Sequence, residues 1–370
     1  MGGDLLTLFL CGDVMLGRGV DQILPHPGDP ALREAYLRDA RAYVELAAAR
    51  NGPVPYPAGF AWPWGDALEV LDDVAPAARV LNLETSVTRY AGFAPEKEIH
   101  YRMNPANVPC LAAARPDVCV LANNHVLDFG RQGLADTLGA LAGAGLRTAG
   151  AGAGPDAAQR PAIVPVADGR RILVFSFGMP SSGIPRAWAA AGGRSGVDFV
   201  ARPSPAAAGE IIGRVRQVKR PGDLAVASVH WGPNWGYHVT RSETAFARAL
   251  LEGGVDLVHG HSSHHPRALE TYRGKLVIHG CGDFIDDYEG ITGYEEYRDD
   301  LRLLFLVTLD PETGRLHDVR IVPLQARRMR LRHASRQDSR WLQGLLDRIS
   351  SGFRPCAADE PEGMLTLRPA

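Results

Sequence analysis

The chain is short of cysteine pairs. Its five cysteines, Cys11, Cys110, Cys119, Cys281 and Cys356, are odd in number, scattered over 370 residues and never spaced as CxxC. That pattern suggests neither a zinc knuckle nor a disulfide framework, and a reducing compartment is the simpler expectation. Long apolar runs are missing as well. The N-terminal stretch MGGDLLTLFLCGDVML has no basic leader, and Gly12-Asp13 interrupts it well short of a membrane span. Neither sign of charge dominates: 40 Lys+Arg against 42 Asp+Glu give a net charge of −2. No field therefore advertises nucleic acid or an anionic membrane as partner. Internal repeats and low-complexity tracts are absent. These absences together predict a soluble, cytoplasmic protein with no membrane segment and no nucleic-acid partner.

What is present is ordinary globular material, 45% apolar and 22% charged, in a chain long enough to bury a large core. Residues 1–370 read as one domain, with 21–66 as a helical and loop insertion and 297–370 as C-terminal strands and a helix. Apolar runs predict strands at Leu5 to Cys11, Ala78 to Leu83, Asp117 to Ala122, after Gly169, Leu224 to Val229, Val255 onward and Lys275 to His279. Helical spacing marks Ala31 to Arg50, Ala67 to Val74, Gly133 to Gly145, Glu210 to Lys219 (read as a solvated face), Thr244 to Leu251 and Ser339 to Ile349. LRLLFLVTLD and RLHDVRIVPL, joined by PETG, form an antiparallel hairpin signal, and MLTLRP adds a last strand. The β-α-β rhythm predicts an α/β fold. Trp62 and Trp64, in a Pro/Gly/aromatic loop, either line a cleft or anchor that loop to the core.

Chemistry gathers where these apolar runs stop. VDLVHGHSSHHPR places His259, His261, His264 and His265 within seven residues, and neutral imidazole is the commonest protein metal ligand. Other runs end in Gly12-Asp13, in Glu84, in Asn123-Asn124-His125, in His230-Trp231 and in His279 ahead of Asp283. Ligands bind beyond the carboxyl ends of strands in parallel sheets. A mixed carboxylate, amide and imidazole set suits Mn, Fe, Zn or Ca better than a thiolate site does.

GDVMLGR, NLET, ANNHVLDFG, VHWG and GHSSHH, in this order, resemble the CapA family, named for a poly-γ-glutamate capsule protein. The likeness runs from about Leu5 to the C-terminal region. That family is similar to the calcineurin-like metallophosphoesterases, which implies a two-sheet β-sandwich flanked by helices in four αββα layers, ending here in the C-terminal hairpin. The resemblance implies metal ligation by Asp13, Glu84, Asn124, His230 and His261, with His125 or His264 as proton donor. Departures from the metallophosphoesterase pattern are Met15 for a histidine, Glu84 for an aspartate, Asn123 for a glycine, and a GHSSH spacing wider than GHxH. The number of divalent ions, one or two, stays open.

Each residue also has a plainer use. Asp13 and Glu84 can cap a turn or helix, Asp128 can orient a histidine, His259 can pack within its strand, and His265 before Pro266 can be exposed. His279 and Asp283 stand between catalysis and support. Arg102, Asn123, Trp231 and Asp283 are the candidates for holding substrate, and Arg102 can equally form a surface ion pair. Cys11 and Cys281, near the loops, read as buried inert thiols. Three functions follow. One is a metal-dependent hydrolase of an amide, γ-glutamyl peptide or phosphate-containing substrate. Another is a peptide epimerase with Asp13 and His279 or His125 as bases. The third is a non-catalytic partner in polymer synthesis. The substrate is a peptide, small molecule or polymer in each case.

Overall fold

Strands with apolar side chains on both faces dictate the architecture, because such strands need cover on both sides. In β1 (Leu6–Val14) Leu8 and Leu10 face one way and Phe9 and Cys11 the other, and all four are fully buried. The computed structural model describes residues 5–95, 97–354, 356–358 and 363–370. Residues 1–4 of the stretch read for a leader lie outside them. In the first sheet β1, β2 (Ala78–Leu83), β3 (Val118–Val120) and β4 (Arg147–Ala149) run parallel. The second contains β5 (Ala162–Pro165), β6 (Arg171–Gly178), β7 (Leu224–His230), β8 (Leu257–His261), β9 (Leu269–Tyr272) and β10 (Lys275–Ile278), in the order β9-β10-β8-β7-β6-β5. Its inner four strands are parallel and its two edges antiparallel. The chain then rejoins the first sheet. β11 (Asp283–Ile285) lies parallel to the end of β1, and the hairpin of β12 (Leu301–Leu309) and β13 (Leu316–Ala326) packs antiparallel along the earlier part of the same edge, opposite β2. The strand Leu365–Leu367, within MLTLRP, pairs with β13.

Three apolar clusters define four layers. Leu8, Leu10, Val80 and Val120 meet Val174, Val226, Leu257 and Ile278 between the sheets. The opposite face of the first sheet packs on Leu71, Leu111, Leu134 and Leu141 of its helices. The outer face of the second packs on Ile211 and Val215 of helix Pro205–Val218 and on Phe246 and Leu250 of helix Arg241–Gly253. This is the four-layer αββα sandwich expected from the sequence. Ile211 and Val215 form the buried face of this amphipathic helix, whose basic residues Arg214 and Arg216 lie off that face, and it begins at Pro205, earlier than the expected Glu210.

The insertion differs from the sequence expectation at its start. Residues 31–40 are not helical; Leu32 and Ala40 donate backbone bonds to Arg38 and Pro30, and the helix is confined to Arg41–Asn51. The Asp39 carboxylate accepts from the Arg41 N–H, and an Asp side chain bonding the backbone two residues on competes with helix. Trp62 and Trp64 anchor rather than line a cleft: their indoles donate to the carbonyls of Arg328 and Cys110, and Trp64 is wholly buried. Among the described residues no helix is long and apolar enough to cross a membrane.

A bulge at Gly12 shifts the register of β1 against β2, just before the first chemically active residue. Gly12 also lets β11 approach, since a methyl group there would overlap the Gly282 carbonyl. Gly12→Ala is expected to cost about 3 kcal/mol or more, by wedging these strands apart; urea unfolding measures it, and a loss under about 1 kcal/mol would mean the strands can yield.

Candidate active site

Strand register assembles the site. Parallel pairing sets Asp13 beside Asn82 on β2 and beside Asp283 on β11, and it sets His230 beside His261 across β7 and β8. The two sheets are tied at this end by His259, whose Nε2 lies 2.9 Å from the Cys11 carbonyl. Beyond β8, Ser262 holds a φ of 106°, a conformation disfavoured for a residue with a Cβ and most often found where function requires it. That turn carries His264 back to Asp283, with Nδ1 2.9 Å from Oδ1.

Two potential ligand groups result, Asp13–His230–His261 and Asp13–His264–Asp283, each with donor atoms within 4.8 Å of one another. Asp13 belongs to both. Glu84 reaches the first group, its Oε1 3.7 Å from His230 Nε2, and Asn124 Oδ1 stands 2.8 Å from the same nitrogen. Asn82 donates to Asp13 (2.7 Å) and to Glu84 (2.9 Å), holding two buried carboxylates side by side.

Hydrogen-bond bookkeeping identifies which imidazole nitrogens are free. The Cys11 carbonyl can only accept, so His259 Nε2 carries the proton and its Nδ1 accepts from Ser228 Oγ at 3.1 Å. Ser228 then accepts from His261 Nε2 at 2.9 Å, which leaves His261 Nδ1 with a lone pair. That lone pair faces His230 Nδ1 at 2.8 Å. With His230 Nε2 donating to Asn124 Oδ1, the two Nδ1 atoms point their lone pairs into one space, an arrangement that suits two imidazole ligands on a single cation lying to one side of both. Burial also pushes the pKa values of both imidazoles down, so they are neutral ligands at pH 7.

The carboxylates ask for the same thing. Burial, then Asp283, raises the Asp13 pKa from 3.8 to about 7. Burial followed by Asp13 and Asp283 raises that of Glu84. Burial would raise Asp283 too, but the adjacent His264 outweighs it and the net shift is downward. Asp13 Oδ2 and Asp283 Oδ2 are buried without a hydrogen-bond partner among the described residues. Unpaired buried carboxylate oxygens and converging imidazole lone pairs fit a divalent cation. Ser228→Ala removes the bond that holds the His261 tautomer, so divalent-metal affinity is expected to fall 10- to 100-fold with the fold intact. Titration calorimetry checks this; unchanged affinity would show that the tautomer needs no such support.

His125 stands apart from both groups. Its Nδ1 is 2.7 Å from Asp128 Oδ2, a carboxylate also held by the Tyr101 N–H (2.7 Å) and paired with Lys97. Nε2 therefore faces inward, 3.8 Å from Glu84 Oε1. Burial lowers the His125 pKa to about 4. His125 and His264, 7% and 9% exposed, are the site imidazoles in reach of solvent.

Other candidates lie elsewhere. His279 stacks on Trp231 at 5.9 Å and sits 3.5 Å from Glu270, outside the cluster, because its strand ends before the bend that returns to Asp283. Trp231 is fully buried and donates its indole N–H to the His279 carbonyl, which leaves no face for substrate. Arg102 donates to the carbonyls of Tyr90 and Asp29 and lies over Phe129, so it pins loops together. Asn123 is buried, donating to Asn82 and Leu83 and accepting from the N–H groups of His125 and Val126; it shapes the turn that aims His125. Asp283 is buried within the second potential ligand group, not at an open surface. His265 is buried, not exposed, accepting from the Gly236 N–H. Cys11 and Cys281 are buried free thiols with pKa values raised by burial. Asn82 was missed, although a polar residue two before Glu84 in an apolar strand shares its face.

A four-layer αββα sandwich with carboxylates, an amide and imidazoles converging at strand ends defines the class of site. The chain belongs to the family of bacterial capsule synthesis proteins called PGA_cap, which it matches over residues 7–288. It is 51% identical over 368 residues to a probable polyglutamine synthesis accessory protein of Mycobacterium tuberculosis, covering 99% of this chain and 97% of that one. It is 27% identical over 285 residues to the PGA biosynthesis protein CapA of Bacillus subtilis, covering 77% of this chain and 64% of that one. A solved 5'-nucleotidase precursor from Thermus thermophilus aligns over 87% of this chain and 54% of its own, at 17% identity and a TM-score of 0.47.

Proposed function

We propose that the protein is a metal-dependent hydrolase that cleaves an amide bond of a glutamyl-containing peptide or polymer. The observation that carries this is Asp13, shared by two groups of buried ligands with one oxygen unpartnered among the described residues. Asp13, His230 and His261, or Asp13, His264 and Asp283, would hold a divalent cation, which would supply Lewis acidity and lower the pKa of water. Asn82 keeps Asp13 and Glu84 oriented, Ser228 keeps the His261 tautomer, and Asp128 fixes His125 so that its unprotonated Nε2 takes a proton from the attacking water and hands it to the leaving nitrogen. The glutamyl preference rests on the names of the relatives. Incubating metal-free and Mn-loaded protein with γ-glutamyl and phosphoester panels tests the proposal: metal uptake with amide turnover supports it, and neither would sink it.

A second reading, a non-catalytic role in polymer assembly, is favoured by the accessory name of the Mycobacterium relative. The discriminating result is polymer yield in cells carrying His125→Gln. Undiminished yield would favour the accessory role. The epimerase alternative, with Asp13 and His279 or His125 as bases, receives no comparable support: His279 is turned to Trp231 and Glu270, and no relative's name points to isomerisation.

A further inference from the structure

Two joined cavities of about 590 and 500 Å³ form a groove, sharing Asn51, Gln325 and Arg327. Its basic rim is built by a tight turn. After β13 the backbone passes through Arg328 and Met329, both with positive φ, and the Glu289 carboxylate accepts both of their N–H groups and the Asn51 amide. Glu289 is thereby engaged by the turn, and Asp300 by Arg298 and Gln325. Arg332 makes no ion pair among the described residues, Arg50 makes none within 4.0 Å and acts only at longer range on Glu295, and Arg327 meets only the Asn51 amide oxygen at 3.3 Å. With a chain charge of −2, this local excess is not a reflection of composition. The inner end of the groove touches the site. Arg302, fully buried with its Nε unpartnered among the described residues, pairs with Asp286 at 2.5 Å, three residues beyond Asp283. Tyr288 lines the same cavity and meets the His264 ring edge-on at 5.2 Å.

We propose that this groove binds an acidic peptide chain, whose carboxylates pair with Arg50, Arg327 and Arg332 while one end lies against Tyr288 beside His264. The proposal rests on the amide-hydrolase reading of the site. Arginine without a carboxylate partner is suited to recognising carboxylate in two-point contact. The interleaved Glu295, Asp299 and Gln325 favour a chain that also offers amide N–H donors, and they repel a dense phosphate polyanion.

Fluorescence anisotropy of a labelled ten-residue glutamate peptide, γ-linked and α-linked in separate arms, tests this on the full metal-loaded chain. Arg327→Glu with Arg332→Glu is expected to weaken binding on the order of ten-fold, whereas Arg160→Glu, outside the groove, leaves it within two-fold. Equal affinity of the double variant and the unaltered protein overturns the groove. So does undetectable peptide binding, or tighter binding of inorganic polyphosphate. Asp13→Asn separates the two proposals. Peptide affinity kept in that variant supports the groove, and affinity lost there assigns binding to the metal cluster and overturns it. Peptide binding without turnover in the unaltered protein removes the hydrolase reading alone.

Discussion

Asp13→Asn is expected to abolish stable divalent-metal binding and, with it, turnover. Loss of a partner behind a ligand costs 10- to 100-fold in affinity, and Asp13 is itself the one residue common to both ligand groups. A loss of more than two orders of magnitude follows, read by elemental analysis after desalting. Retention of one equivalent of metal would show that the second group assembles without it.

The same substitution has an opposite effect on the metal-free fold. The Asp13 pKa is raised from 3.8 unfolded to about 7 folded, so the folded state holds the proton more tightly. Its contribution to stability is fully present below the unfolded value and is lost as pH rises through about 7. Chelator-treated protein should therefore lose roughly 2–4 kcal/mol between pH 4 and pH 8 from this group. Asp13→Asn escapes that loss and melts higher than the parent at pH 8. Adding Mn²⁺ should raise the melting temperature of the parent and leave the variant unmoved.

His125→Gln is expected to lower turnover by 10²- to 10⁴-fold while leaving metal content unchanged. His125 lies in neither ligand group, and its Nδ1 is committed to Asp128. Glutamine retains a polar side chain but transfers no proton at the position of Nε2. Steady-state kinetics with parallel metal analysis checks both halves. A turnover loss accompanied by metal loss would place His125 among the ligands instead.

Much of the scaffold was legible because burial on both strand faces leaves continuous apolar runs. Ala78–Leu83 and Ala67–Val74 end where periodicity and composition end. Short edge and bridging strands, β5, β9 and β11, were not legible, since three or four residues carry no periodic signal. Residues 31–40 misled for a different reason. Their alanine-rich pattern is helical, but the Asp39 side chain and the return of Ala40 to Pro30 win locally.

The site divides in the same way. Asp13, Glu84, Asn124, His125, His230, His261 and His264 stood out because each follows an apolar run, and in a parallel sheet those ends lie together. His279 and Trp231 stood at equivalent places in the chain, and Arg102 in a loop beside them, yet side-chain direction turned them to Glu270, to the core and to neighbouring loops. The sequence by itself determined the α/β rhythm and the kind of donor atoms, since strand-end position is a local property, and its ordered motifs carried the resemblance that implied the family and the layered fold. Only the tertiary structure decided that Asp13 is common to two potential ligand groups, that Asp283 lies in one of them, and which nitrogen of His261 is free. Those facts depend on register between strands distant in sequence and on a proton chain running from Cys11 through His259 and Ser228, which no single segment contains.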